Sequence, residues 1–260
     1  MKLGRLVVGA VIAGTTTLPA IVTGQATPAS VAVVYRGTPA GSPAQDELAL
    51  ISALGFRTVV WPFDDPVARR ELDRMTMIVG LDVLEAVAIA REEAAIILPL
   101  GADDAVRLQA RAWSAVIDGK RLLVLDSGTS SGAGLEDDVG RPAAWLSAAR
   151  RLARQVEANA ELIGRLRPGP AIQSGEPDVR VVLFDGGRAW VLMAVNAAAA
   201  VRSASVRVPK EVPYGPWVSL VDGTDMAMIV RTDHHEYRVT LAAGEARVYV
   251  IDKTPPVTSW

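Results

Sequence analysis

Acidic side chains follow several apolar segments of this sequence, at positions where a parallel sheet would gather them along one edge. Glu85 and Asp126 each close an apolar segment directly, and Asp64 follows another. Two facing carboxylates are the groups that hydrolyse a glycosidic bond by general acid–base chemistry. Glu85 and Asp126 are therefore the candidate catalytic pair. The competing interpretation of Asp126 is structural, because an Asp before Ser127 and Gly128 readily forms a turn.

Aromatic side chains also lie near the predicted strand ends. Tyr35 and Trp61 can stack on a sugar ring there, and Asp64 stands close by in the sequence. The alternative for Trp61 is a place in the core, with its indole N–H bonded to a neighbour. We take Tyr35, Trp61 and Asp64 as the candidate substrate-binding residues.

The composition excludes several other chemistries. The chain has 260 residues, no cysteine, only two histidines and a formal charge of −2. Without cysteine there is no disulfide scaffold, no thiolate nucleophile and no cysteine-ligated zinc. His234 and His235 are adjacent in a strand-like segment, so they point to opposite faces and do not suit one metal ion. We therefore predict no metal site and no cofactor, and the near-neutral charge predicts no nucleic-acid partner.

Residues 1–26 have the layout of a secretory signal peptide. Lys2 and Arg5 precede a short apolar run, and Gly24-Gln25-Ala26 is similar to a small-x-small cleavage site. The apolar run is shorter than the roughly 20 residues that span a bilayer, although a retained membrane anchor is the alternative. The prediction is a secreted or periplasmic protein that meets a membrane only through this segment.

Residues 31–168 alternate between apolar and amphipathic segments, which predicts parallel strands covered by helices. The strand candidates cover residues 31–37, 56–63, 81–87, 94–101 and 120–128. The helix candidates cover residues 42–55, 65–80, 102–119 and 143–166. An alternative makes TMIVGLD, residues 76–82, a strand and shortens the helix before it.

The pattern changes after Pro168 and Gly169, which predicts a boundary between two architectures. From there to residue 253 the apolar residues recur with a period of two, in short segments closed by turn residues. Asp185-Gly186-Gly187-Arg188 separates two of these segments and predicts a hairpin. Residues 174–253 are therefore predicted to form an antiparallel β-sandwich.

Several of these segments resemble the end of a glycoside hydrolase, where a (β/α)8 barrel is followed by a β-sandwich. LQARAWSAVIDGKRLLVLDSG resembles the helix before the last barrel strand together with that strand. VEANAELIGRLRPG resembles the closing barrel helix, while GRAWVLMAVN and LAAGEARVYVI resemble sandwich strands. The resemblance implies an α/β fold, namely an incomplete TIM-barrel-like βα unit and then an antiparallel β-sandwich. It also implies a protein that acts on or binds polysaccharide or oligosaccharide, and the signal peptide of residues 1–26 implies that this protein is exported.

The sequence departs from the glycoside hydrolase pattern in the middle of the barrel. A full barrel has eight strands and about 250 residues, whereas residues 31–168 contain five strand candidates. The strand that corresponds to the seventh ends in Leu100-Gly101 without a glutamate. The catalytic residues of the family therefore cannot be assigned to positions of this sequence. The sequence agrees with a catalytically degenerate relative as well as with an active enzyme.

A second interpretation keeps the sandwich and replaces the barrel. Five parallel strands can also form an open, Rossmann-like sheet similar to a glutamine-amidotransferase domain without its nucleophile. The chain would then be a non-catalytic module that binds carbohydrate or a partner. The order of the strands distinguishes the two interpretations. The strands of a barrel follow chain order around a ring, whereas an open sheet has a switched order. A shortened barrel would expose strand edges, so it predicts a homodimer or a partner chain that covers them.

Overall fold

The computed structural model places a parallel sheet and several helices ahead of two antiparallel sheets. It describes residues 28–34, 49, 51–61, 76–79, 95–99, 106–126, 145–213, 215–220, 226–231 and 233–253. The parallel strands are β1 Ser30–Val34, β2 Thr58–Trp61, β3 Thr76–Val79, β4 Ala95–Pro99 and β5 Leu122–Asp126. The helices are α1 Leu108–Ile117, α2 Leu146–Ala158 and α3 Ala160–Gly164. The predicted α/β class is confirmed.

The parallel sheet has the strand order β3-β2-β1-β5-β4. β1 lies at its centre, where Val33 pairs with Val59 of β2 on one side and with Leu125 of β5 on the other. If the two edges of this sheet were joined into a ring, the strands would follow one another in chain order. The gap in that ring would lie between β3 and β4. The same order fits a ring that lacks some strands and an open sheet with a long crossover.

The central strand forms because both of its faces are buried. Val31 and Val33 belong to a core that packs against the helices, and Ala32 and Val34 on the opposite face are also at most 1 % exposed. Continuous apolar residues are expected where helices or other elements cover both sides of a parallel sheet. This explains why polar and apolar residues do not alternate along β1.

The third strand differs from the first interpretation of the sequence. A helix predicted over residues 65–80 is wrong at its end, because Thr76–Val79 form β3 and pair in parallel with β2. The alternative, which made TMIVGLD a strand, is confirmed for residues 76–79. The strand expected at residues 81–87 lies outside the described residues. Four β-branched or apolar residues suit a short buried strand as well as a helix turn, so tertiary pairing decided.

The last helical segment, predicted as one helix over residues 143–166, forms two helices in the structure. The backbone leaves the helix at Asn159, whose side-chain amide donates to the carbonyl of Gln155 at 2.8 Å. Apolar residues that recur along this segment are buried: Trp145, Ala149, Leu152, Val156, Ile163 and Leu166.

Two antiparallel sheets follow the last helix, as the period of two predicts. One has the order β11-β14-β9-β8-β6 and the other β12-β13-β10-β7. The strands are β6 Arg167–Pro168, β7 Gln173–Ser174, β8 Val179–Asp185, β9 Ala189–Asn196, β10 Arg202–Pro209, β11 Val218–Ser219, β12 Ala227–Val230, β13 His234–Leu241 and β14 Ala246–Asp252. The hairpin expected at Asp185 to Arg188 joins β8 and β9.

Two hydrophobic cores hold these layers together. The second core lies between the two antiparallel sheets, with Leu192 from one and Val206 from the other. The first core fills the space beneath the helices and also includes Phe184, Val191 and Met193 from the back of the β8–β9 sheet. The parallel and antiparallel parts therefore share one continuous core. No helix among the described residues is long and apolar enough to cross a membrane.

Candidate functional site

The carboxyl edge of the parallel sheet carries two of the predicted site residues. Asp126 closes β5, half-buried, in register with Pro99 of β4. Trp61 closes β2 in register with Val79. One strand, β1, lies between them, and strands pair about 4.8 Å apart, so the two backbones are separated by roughly 10 Å.

Three other predicted site residues, Tyr35, Asp64 and Glu85, lie outside the described residues. The side chain of Trp61 is outside them too, although its backbone belongs to β2. The pairing of Glu85 with Asp126 therefore stays a prediction. The strand predicted over residues 81–87, which Glu85 closes, also lies outside the described residues.

A cleft of about 1300 Å³ opens at the opposite, amino-terminal edge of the same sheet. The starts of β1 and β2, the α2–α3 junction and the β8–β9 turn surround it. Its charged lining residues are Arg57, Glu157, Glu161, Arg165, Arg167, Asp185 and Arg188. No aromatic residue is among the described residues that line it.

Glu157 holds the inner wall of this cleft. Its side chain is only 13 % exposed, and one carboxylate oxygen accepts hydrogen bonds from the Ser30 hydroxyl at 3.0 Å and the Val31 amide at 3.4 Å. Ser30 also lies 2.9 Å from the Thr58 hydroxyl of β2. The other oxygen lies 4.0 Å from Arg57 Nε. The last turn of α2 is thus tied to the first residues of β1 and β2.

Asp185 forms the outer wall at the end of β8. Its carboxylate accepts from Lys253 Nζ at 2.6 Å and from the Gly187 amide at 2.7 Å. The hydrogen bond from Lys253, followed by that from Gly187, lowers the pKa of Asp185. Lys253 Nζ also lies 4.3 Å from the centre of the Trp190 ring, within the range of a cation–π contact. Asp185 is therefore a carboxylate whose charge is already matched.

The two histidines do not meet at a metal site in the part of the chain that is described. His234 Nδ1 lies 2.7 Å from Asp233 Oδ1, while His235 is buried in the next position of β13. The hydrogen bond with His234 lowers the pKa of Asp233. No group of three or more possible metal-ligating side chains occurs among the described residues.

The positions of the cleft residues in the sequence do not indicate that these residues meet. Glu157, Glu161 and Arg165 lie in the helix predicted over residues 143–166, where i, i+4 charge pairs are common. Arg165 and Glu161 do form such a pair, at 3.1 Å. The sequence gives no indication of Arg57 or Arg188 as cleft residues. These two arginines come near the end of α2 only when β2 and the β8–β9 hairpin have folded.

Comparison with known proteins finds likeness only in structure. No protein-family model matches the sequence, and no curated protein matches it. Among solved structures, an α-amylase from Geobacillus thermoleovorans aligns with 84 % of this chain and 53 % of its own, at 12 % identity and a TM-score of 0.43. A maltogenic α-amylase from Thermotoga neapolitana aligns with 83 % of this chain and 60 % of its own, at 10 % identity and a TM-score of 0.41.

A family 30, subfamily 8 glycoside hydrolase, a xylanase from Clostridium acetobutylicum, is also similar. It aligns with 80 % of this chain and 59 % of its own, at 11 % identity and a TM-score of 0.37. The chain thus spans less than two thirds of each of these three enzymes. At this level of likeness neither a catalytic residue nor a substrate is transferred from them.

Proposed function

We propose that this chain is an exported, glycoside-hydrolase-like protein that acts on or binds a polysaccharide or oligosaccharide. The observation that carries the proposal is the position of Asp126 at the carboxyl end of a central parallel strand. Loops converge at that edge in (β/α) enzymes, and their catalytic side chains come from the strand ends. Glu85 is the second carboxylate of the proposed pair.

The proposed architecture is a barrel shortened in its middle and followed by a β-sandwich. The order β3-β2-β1-β5-β4 is compatible with it, because a ring that keeps its first three and last two strands has this order, as an open sheet also can. The core shared by the two antiparallel sheets supports a sandwich over residues 174–253. Residues 31–168 would then form the barrel-like domain.

Substrate would bind across the carboxyl edge of the parallel sheet. Trp61 at the end of β2, with Tyr35 and Asp64, would hold a sugar ring beside Asp126. Two carboxylates about 5–5.5 Å apart would retain the anomeric configuration, and a wider spacing would invert it. The same edge would bind saccharide without cleaving it if Glu85 does not face Asp126.

Turnover of a panel of aryl glycosides tests catalysis. Asp126→Asn is expected to lower kcat/KM at least about 100-fold, the usual size of a general acid–base contribution. Asp252→Asn is the matched control, because Asp252 also closes a strand but belongs to the sandwich. Equal losses in both variants would contradict a catalytic role for Asp126.

Saccharide binding tests the degenerate form of the proposal. A wild-type chain without turnover should still bind an oligosaccharide on a glycan array, and Trp61→Ala should weaken that binding. A chain that neither turns over nor binds any saccharide would refute the proposed function.

Export is tested by sequencing the amino terminus of the mature protein, which is expected to begin after Ala26.

The proposal includes assembly with a second chain, and its basis is the two edge strands of the parallel sheet. β3 and β4 have a partner on one side only among the described residues. Unpaired strand edges invite a second chain, so a homodimer or a partner chain is part of the proposal. Sedimentation of the purified chain as a monomer at all concentrations would count against a homodimer.

A further inference from the structure

We infer that the cleft at the amino-terminal edge of the parallel sheet binds an oxyanion, a carboxylate or phosphate group of a ligand, through Arg57, Arg167 and Arg188. This site is separate from the carboxyl edge and does not depend on the proposed function. The two edges are separated by the length of β1, which is roughly 13 Å for its four residue steps.

The acidic side chains of the cleft are already occupied. Glu157 accepts from Ser30 and Val31, Glu161 pairs with Arg165 at 3.1 Å, and Asp185 pairs with Lys253 at 2.6 Å. None of the three therefore needs a further cation. The charges of Glu161 and Asp185 are matched by Arg165 and Lys253, whereas Glu157, whose two hydrogen-bond donors are neutral, offsets part of the charge of Arg57.

The remaining arginines carry positive charge that the carboxylates of the cleft offset only in part. Arg57 reaches Glu157 only at 4.0 Å, and its side chain is 77 % exposed. Arg167 and Arg188 are exposed and form no ion pair with any residue that the structure describes. Arg167 contributes to lowering the pKa of Asp185 through its electrostatic field, which places its charge near this wall. Three guanidinium groups from separate elements thus line one cavity.

The chemistry of the lining favours an oxyanion over a neutral sugar. Neutral sugars are held largely by aromatic faces, and no aromatic residue is among the described residues that line the cleft. A guanidinium group has planar, paired N–H donors that match the two oxygens of a carboxylate or phosphate. A cleft of about 1300 Å³ is also larger than a single small anion requires. The anionic group would therefore belong to a larger ligand.

Titration of the full chain with two anions, followed by nuclear magnetic resonance of arginine side chains and backbone amides, tests the site. Inorganic phosphate and a trimer of galacturonate are the probes, and maltotriose is the neutral control. We expect at least one anion to shift the signals of Arg57 and Arg188, with binding weakened by added salt. Binding of only one anion supports the site and identifies whether phosphate or carboxylate is preferred.

Arginine variants decide whether the cleft is responsible. Arg188→Gln and Arg57→Gln should each weaken anion binding about fivefold or more, with an unchanged melting temperature because both side chains are exposed. Arg238→Gln, an exposed arginine on β13, is the matched control and should leave binding unchanged. The inference is overturned if neither anion binds, if maltotriose binds equally well, or if Arg238→Gln weakens binding as much.

Discussion

Gly244 and Val106 meet backbone to backbone where the β13–β14 turn reaches the helical part of the chain. A Cβ atom on Gly244 would stand 2.2 Å from the carbonyl oxygen of Val106, and the φ of Gly244 is +66°. The Gly244 carbonyl accepts from the amide of Ala110 at 3.1 Å, so this turn caps the first turn of α1. No side chain caps α1 at Arg107. The antiparallel part therefore stabilises a helix of the parallel part.

Gly244→Ala should lower the free energy of unfolding by about 2–5 kcal/mol, from the left-handed backbone and from the clash together. Gly119→Ala is the matched control. Its φ is also positive, +90°, but nothing lies within 4 Å of the added Cβ, so about 1 kcal/mol is expected. Urea unfolding curves measure both values. Equal losses would mean that the contact with Val106 contributes nothing.

Asn196 should be the most sensitive polar residue of the β part. It is 0 % exposed, and its amide donates to the carbonyls of Ala200 and Ala242, both at 2.8 Å, while its carbonyl accepts from Ala198 at 3.0 Å. Asn196→Ala leaves these buried groups without partners and should cost about 2–3 kcal/mol in urea unfolding.

Ser203→Ala is the comparison for Asn196→Ala. It removes an exposed hydroxyl contact with Thr240 and should change stability by no more than about 0.5 kcal/mol. A loss for Asn196→Ala as small as that for Ser203→Ala would contradict the role assigned to Asn196 in joining β9 to the β13–β14 turn.

Glu157→Gln should weaken the attachment of α2 to β1. The Ser30 hydroxyl and the Val31 amide would lose a charged acceptor, so unfolding free energy should fall by about 1–2 kcal/mol and the Val31 amide should exchange faster with solvent. Glu161→Gln, whose side chain is 77 % exposed, should cost at most about 0.5 kcal/mol. Unchanged exchange at Val31 in Glu157→Gln would refute the attachment.

The lowered pKa of Asp185 predicts that the stability of the folded chain depends on pH in the acid range. Its pKa is lowered in the folded state, chiefly by the hydrogen bond from Lys253. A lowered carboxyl pKa contributes stability above the unfolded value of about 3.9 and loses it as pH falls through the folded value. Lys253→Met should raise the pKa of Asp185 in a carbon-13 titration and shrink the stability lost on acidification. Lys210→Met should change neither, and a shift of equal size there would contradict the assignment.

Local pattern was a good guide where one face of an element is buried. The period of two predicted antiparallel strands over residues 174–253, where the structure has β9 at Ala189–Asn196 and β14 at Ala246–Asp252. It also predicted the turn between β8 and β9, because Gly186 and Gly187 suit a tight hairpin. For residues 76–79 the same approach first predicted a helix, because a segment of four residues is too short to show the period that separates a strand from a helix.

The sequence by itself determined the division into an α/β part and an all-β part, and the position of Asp126 at a strand end. Both follow from neighbours along the chain, whose alternation and turn residues set local structure. Only the tertiary structure decided that β1 lies between β2 and β5, and that Arg57, Arg167 and Arg188 line one cleft beside Glu157. Strand pairing and cavities depend on contacts between residues far apart in the chain, and no local spacing records those contacts.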